Sequence, residues 1–397
     1  MWIIAGQSMT KLGDVLTNPK TVLTWMLSAL GAPGALLSML VPVREAGSML
    51  PQLFVSGFVK KFERRKLVFV AGALAQALAI AMMGVAALML PATAAGWTVL
   101  ACVALFALAR SFCSISSKDV LGRTVPKGFR GRVGGLSNAI SGSLSAGAAV
   151  VLILFRDHET AGFLAWMVLG ASVLWVLGAA LYSCINEPAA EPESGGAEEG
   201  WLQRLFLVRE DPMFRAFIIA RGLLLGTALA SPLLVVLGQR SGGQITSLVG
   251  FILASGMASA ASSFLWGRLA DRAGEWSMAA GGLVAAVAGV AGIAISWLAP
   301  GWADAAWVWP LVFLVFNIGY AGVRLGRKTW VVDAVEGDRR TDYVSASNTL
   351  IAVLILATGL LHSPLQAWSP LASLGLYCAM CLAGAGAAVR LRRLGRD

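Results

Sequence analysis

The sequence predicts an all-α polytopic membrane protein of twelve transmembrane helices arranged as two pseudo-symmetric six-helix bundles. Composition, the distribution of charge and an internal repeat carry this reading. Of the 397 residues, 57% are hydrophobic and 13% charged, against roughly 25% charged in a soluble domain. The charges cluster, leaving Leu67 to Ala109, Val133 to Phe155, Thr160 to Asn186, Ser241 to Gly267, Trp276 to Ala303 and Tyr343 to Val389 without any. Each stretch can cross a hydrocarbon core of about 30 Å at least once, at roughly 20 helical residues per crossing. A soluble fold would need water-facing polar side chains inside them. The runs are continuously apolar instead of alternating, which excludes a β-barrel.

Apolar runs punctuated by basic residues, Gly and Pro give the spans in order: 21–41, 44–60, 67–90, 96–116, 133–154, 161–184, 214–237, 244–266, 277–298, 306–325, 343–361 and 368–388. The second is the weakest, because Pro42 and the pair Arg44-Glu45 alone separate it from the first. Whether residues 1–20 form an amphipathic helix stays open at this point. The opening MWIIAG is too short for a signal-peptide core, and no cleaved leader is expected.

Of the 31 Lys and Arg residues, 25 fall in loops on the side of the termini and three on the other side, Arg44, Arg156 and Arg240. Arg110, Arg221 and Arg324 fall inside or at the ends of spans. An excess of basic loops marks the cytoplasmic face, so both termini are expected there, in a bacterial inner membrane. The net charge of +10 therefore reads as orientation, and no nucleic acid is expected as a partner. Residues 187–200, EPAAEPESGGAEEG, have the acidic, Pro- and Gly-rich composition of a solvated linker. This divides the chain into an N-terminal bundle, 1–184, a cytoplasmic linker, 185–212, and a C-terminal bundle, 213–397.

The repeat appears at an offset of 210 residues, where Gly57 aligns with Gly267, Lys118 with Lys328, Arg130 with Arg340, and Ser137-Asn138 with Ser347-Asn348. Matches in one register at equivalent places in both halves indicate a duplicated six-helix unit. Parallel repeats of this kind are a known transporter architecture.

The loop after the eighth span reads GRLADRAG, Gly267 to Gly274. It resembles the G-x-L-a-D-r-x-G signature of the major facilitator superfamily, and it stands where that family carries it. The resemblance implies the major facilitator fold, alternating access of two rocking bundles, and a central cavity lined by the first, fourth, seventh and tenth helices. Two departures are visible. The first-half copy, Gly57 to Lys66, has Lys61 at the position of the signature Asp, and Glu275 and Trp276 replace the basic residues after the second copy. In this architecture Lys61, beside Lys60, would meet Asp338 and Asp342, and Asp271 would meet Arg130 and Arg132, with the neighbouring Arg272 in water or lipid headgroups. With Gly57 and Gly267 these residues form a candidate cytoplasmic gate of crossed ion pairs. The alternative is that the basic residues only fix topology, since exposed ion pairs contribute about 0 to 1 kcal/mol each.

Ionisable groups at membrane depth are functional hypotheses by default. Of the 21 acids, only Glu45 falls within a predicted span, next to Arg44, as either a proton-loading pair or an interfacial ion pair. Arg110 resembles the arginine that many proton-driven relatives carry in their fourth helix. It either binds an anion or modulates an acid, or it snorkels to the headgroups, as Arg221 and Arg324 are expected to do. Gln52, Gln76, Asn138, Asn317, Tyr320 and Asn348 could line a cavity or bond helix to helix. His158 and His362 fall in predicted outer loops, and Cys378 and Cys381 form a CxxC inside a span with no second ligand pair.

No catalytic constellation, cofactor motif or metal spacing appears, so an enzyme is not expected. The sequence reading is a monomeric secondary transporter in contact with membrane lipids, moving a small solute of unread identity with protons as the expected coupling ion. The alternative is a non-transporting sensor or lipid-handling scaffold of the same fold.

Overall fold

The computed structural model describes residues 1–125 apart from 53, 54, 56, 57 and 60, single positions between 133 and 147, and residues 161–189, 208–240, 245–334 and 339–394. Among the described residues there are helices and turns and no strand. Eight helices among the described residues are long and apolar enough to cross a membrane. The chain divides into two compact units, Met1–Leu36 with Val43–Glu199, and Gly200–Asp397 with Leu37–Pro42.

The N-terminal unit contains α1 (Trp2–Leu16), α2 (Val22–Ala29), most of α3 (Gly34–Met49), α4 (Arg65–Met89), α5 (Ala92–Thr124) and α6 (Ala161–Ser183). Helix α4 packs along both α5 and α6, and α1 lies along α6. Small residues set these approaches: a Cβ on Gly13 would sit 2.3 Å from the Trp175 ring, and one on Gly84 would meet the Leu169 backbone at 2.8 Å. Phe69 stacks on Tyr182 at 3.6 Å between centroids. At the base of the unit, Arg65 pairs with Asp119 at 2.6 Å. Lys66 Nζ donates to the carbonyls of Ser183 and Ile185, a cation where the end of α6 carries its negative dipole. These bonds give two members of the basic cluster before α4 a role inside their own unit.

The predicted first span, 21–41, is not one helix. Helix α2 ends at Ala29, the chain turns through Gly31 at φ +79°, and α3 begins after Pro33. Pro42, which the sequence reading places at a boundary, lies inside α3. A proline costs a helix one hydrogen bond, and neighbouring helices in a bundle let it persist. The left-handed Gly31 turn is the stronger interruption, because only glycine takes that backbone without strain. Residues 2–29 therefore form two helices, α1 and α2, and most of the residues read as a tail before the first span are helical.

The C-terminal unit contains α7 (Pro212–Leu223), α8 (Gly226–Leu229), α9 (Ser231–Arg240), α10 (Ile245–Arg272), α11 (Gly274–Leu298), α12 (Pro300–Ala303), α13 (Val308–Ala334), α14 (Arg339–Trp368) and α15 (Pro370–Leu394). Asp211 caps α7 by accepting from the amides of Met213 and Phe214, with Pro212 at the first helical position, as helix starts favour. Helices α11 and α13 run backbone to backbone: Cβ atoms on Gly281 or Gly319 would lie 2.5 Å from the carbonyl oxygen of the other, and Gly274 faces Gly326 in the same way one heptad along. Phe217 stacks on Trp330 at 4.2 Å in the core this builds.

His362 is not in a loop. Helix α14 continues to Trp368, past the predicted end at 361, so His362 is buried and stacks on Tyr377 of α15 at 4.2 Å. The CxxC thiols serve packing: Cys378 fills the notch at Gly289 and Cys381 the notch at Gly226. The outward faces are apolar, for example Leu74, Leu78, Met82 and Val85 along α4, a stripe that suits lipid and not water. Exposed Trp97, Trp297, Trp302, Trp307 and Trp368 stand at or near helix ends, the interfacial position that indole prefers.

Candidate functional site

Helix α1 carries Asp14 roughly 18 Å from its first residue, at 1.5 Å of rise per residue. Two residues later the helix stops. Between Thr17 and Thr21 the backbone is held by side chains: Thr17 Oγ1 donates to the Gly13 carbonyl, Asn18 Oδ1 accepts from the Lys20 amide, and Thr24 Oγ1 donates to the Pro19 carbonyl. The break leaves Asp14 on the last full turn of α1, facing α3 and α5.

Asp14 there accepts from two guanidinia. Arg44 Nη2 of α3 donates to Oδ1 at 2.9 Å, and Arg110 Nη1 of α5 reaches Oδ2 at 2.5 Å. The pairs are shielded without being sealed, with side-chain exposures of 16% for Arg44, 20% for Asp14 and 38% for Arg110. The Arg44 guanidinium also lies 3.8 Å over the Phe106 ring, a contact that strengthens as water is excluded. Lys11, one turn before Asp14, is near enough for its charge to act on Arg110, and Glu45 for its charge to act on both arginines. With three cations and two anions, the cluster carries one excess positive charge. Beside it, Thr17, Pro19, Leu23, Ile80, Met83, Val103 and Phe106 join Arg44 around a narrow recess, apolar except for one hydroxyl and one guanidinium.

The structure redistributes the sequence candidates. Arg44 does not pair with Glu45: consecutive residues of a helix point about 100° apart and cannot face each other, and Arg44 turns to Asp14 instead. Arg110 does not snorkel; it closes the bridge. Asp14 was invisible as a site residue because α1 itself was. Gln76 locks α4 to α5 by donating to Cys113 Sγ at 3.0 Å. Gln52, just past α3, donates to the Ser48 carbonyl of that helix, and Asn317 to the Phe313 carbonyl of its own helix. Arg324 lies 5.8 Å over the Tyr320 ring. Asn348 accepts from Arg221 at 3.1 Å.

Of the gate candidates, Gly57, Lys60, Arg130, Arg132 and Asp338 lie outside the described residues, as does Asn138 among the membrane candidates. Asp271 and Arg272 end α10 and Asp342 lies in the first turn of α14, with the side chains of Asp271 and Asp342 outside the described set. Gly267 is in α10, and Lys61 is in the turn before α4.

A multi-pass helical membrane protein with two compact units and a charged centre within one of them is the class this geometry defines. The family model described as Major Facilitator Superfamily matches residues 5–359, and the chain belongs to that superfamily. Its fold is similar to a crystallised D-xylose-proton symporter, at 13% identity, 97% coverage of both chains and a TM-score of 0.69. The nucleoside transporter NupG is similar at 12% identity, 98% coverage of both chains and TM-score 0.70. The POT family transporter PepTSo is similar at 10% identity, covering 99% of this chain and 97% of its own, with TM-score 0.70. No curated protein sequence matches the chain.

Proposed function

We propose that the protein is a secondary transporter that moves a small solute through a membrane by alternating access, coupled to protons at Asp14. The observation that carries this reading is the single carboxylate bridging two arginines from separate helices, placed at the break in α1. Membership of the superfamily supports transport; the bridge supports the coupling site.

The chemistry follows from charge. Ionised Asp14 ties α1 to α3 and α5 through two charge-assisted bonds, each contributing about 1.5 to 3 kcal/mol where water is excluded and less at this partial exposure. A proton arriving on Asp14 removes the acceptor charge from both bonds at once and leaves two arginines uncompensated. The bundle then either rearranges at the Thr17–Thr21 break or takes an anionic group against Arg44 and Arg110. Guanidinia released from Asp14 suit a solute bearing one negative charge. The cytoplasmic placement of both termini, a bacterial inner membrane and a monomeric state complete the reading, supported by the basic loops.

Reconstituted liposomes with an internal pH-sensitive dye test this against a solute panel. Proton movement that depends on solute in the intact protein, and is lost in Asp14→Asn but kept in Glu45→Gln, is the expected result. Coupled flux that survives Asp14→Asn removes Asp14 from the proton path.

A further inference from the structure

The C-terminal unit holds a buried guanidinium, Arg221, that no acid among the described residues pairs with. Arg221 lies roughly 14 Å along α7 from Pro212, at 1.5 Å per residue, and retains 7% of its exposure. It is not extended toward a headgroup region. Its Nη1 donates to Ser347 Oγ and its Nη2 to Asn348 Oδ1, both on α14, while Nε is buried with no acceptor. Among the described residues no carboxylate pairs with it, and the charge that acts on it, Arg327 of α13, is also positive.

The repeat sharpens the contrast. At the offset of 210, Arg221 occupies the place of Lys11, and Leu224 the place of Asp14. The N-terminal unit therefore supplies its own acid to its buried cations, whereas the C-terminal unit puts an aliphatic side chain where that acid would be. An uncompensated cation away from water costs several kcal/mol, and a counter-anion from outside the chain would offset this.

We infer that Arg221, Ser347 and Asn348 form an oxyanion-binding site in the C-terminal unit, taking the carboxylate or phosphate group of a ligand. The donors fit such a group. Of the five N–H donors of a guanidinium, two are used by Ser347 and Asn348, and the unpartnered Nε–H belongs to the planar fork that matches two oxygens of a carboxylate or phosphate. Both neighbours point acceptor atoms at Arg221, which leaves the Ser347 hydroxyl proton and the Asn348 amide hydrogens free to be donated onward. The site is separate from the Asp14 bridge. If the transport reading holds, it adds a second anchor for an anionic solute; if that reading fails, the site stands as a binding site on its own chemistry.

The test is thermal unfolding of the full-length protein, purified in a non-ionic detergent, with inorganic phosphate titrated against chloride at matched ionic strength. A parallel arm uses short-chain phosphatidylglycerol in place of phosphate. A saturable rise in melting temperature with phosphate, with an apparent dissociation constant weakened roughly tenfold or more in Arg221→Gln, is the expected result. Ser347→Ala should weaken it less, and Gly301→Ala, where an added Cβ meets nothing, should leave it unchanged. A response to phosphatidylglycerol alone, also lost in Arg221→Gln, assigns the same oxyanion site to a lipid headgroup. Arg221→Lys keeps the charge without the fork and serves as the control if Arg221→Gln does not fold. Absence of any saturable response to either probe, or an equal response in the Arg221 variants, overturns the proposal.

Discussion

Asp14 of α1 and Arg110 of α5 form a 2.5 Å ion pair between residues that the sequence places in different contexts, one in an apparent tail and one in an apolar span. Their pairing, with Arg44 on the other carboxylate oxygen, makes the centre of the N-terminal unit a bridge whose three members depend on one another.

Because they act as a unit, their substitutions should not add. Asp14→Asn and Arg110→Gln should each abolish coupled transport, and the double variant should be no worse than either alone. Breaking a buried pair by removing one partner costs about 3 to 5 kcal/mol, less at the partial exposure seen here. Thermal unfolding of the two singles and the double gives the coupling energy directly. Additive losses would show that the 2.5 Å contact carries no energetic dependence.

Gly13 should tolerate no side chain. A Cβ there lies 2.3 Å from the fully buried Trp175 ring, so Gly13→Ala should destabilise by about 1 to 3 kcal/mol through overpacking. A compensating Trp175→Phe should recover part of that loss, read as the melting temperature in detergent. Gly301, with nothing within 4 Å of an added Cβ, is the control and should accept Ala unchanged.

His362 stacks flat on Tyr377, and its Nδ1 is buried with no hydrogen-bond partner. Such an atom costs about 1 to 3 kcal/mol in an apolar setting. His362→Phe keeps the stacking and removes the atom, so it should hold or raise the melting temperature, while His362→Ala should lower it. A loss from the Phe variant as large as from Ala would assign the imidazole a polar partner.

Thiol labelling should divide the five cysteines. Cys184 is exposed, whereas Cys102, Cys113, Cys378 and Cys381 are buried. A water-soluble maleimide should modify Cys184 alone in the folded protein and the others only after denaturation, as mass spectrometry of peptides would show. Rapid labelling of Cys378 or Cys381 would contradict their place in the Gly289 and Gly226 notches.

Much of the fold was legible because lipid enforces simple rules. A span near 20 residues long with no charge announces itself, and α4, α6 and α11 lie within a few residues of their predicted spans. The ends were less legible. The extension of α14 to include His362 depends on helix packing that carries no local signal.

The sequence by itself determined that the chain is a helical membrane protein of the major facilitator type, which the family match bears out, since apolar length and the placement of charge are local properties. Only the tertiary structure decided where its charged centre is. Lys11 and Asp14 make α1 look like a tail, because in a single helix their charge forbids burial. Asp14 is partnered from 30 residues away by Arg44, and from farther still by Arg110. A charge becomes tolerable inside a packed helix bundle through its partners, and partners distant along the chain exist only once the chain has folded.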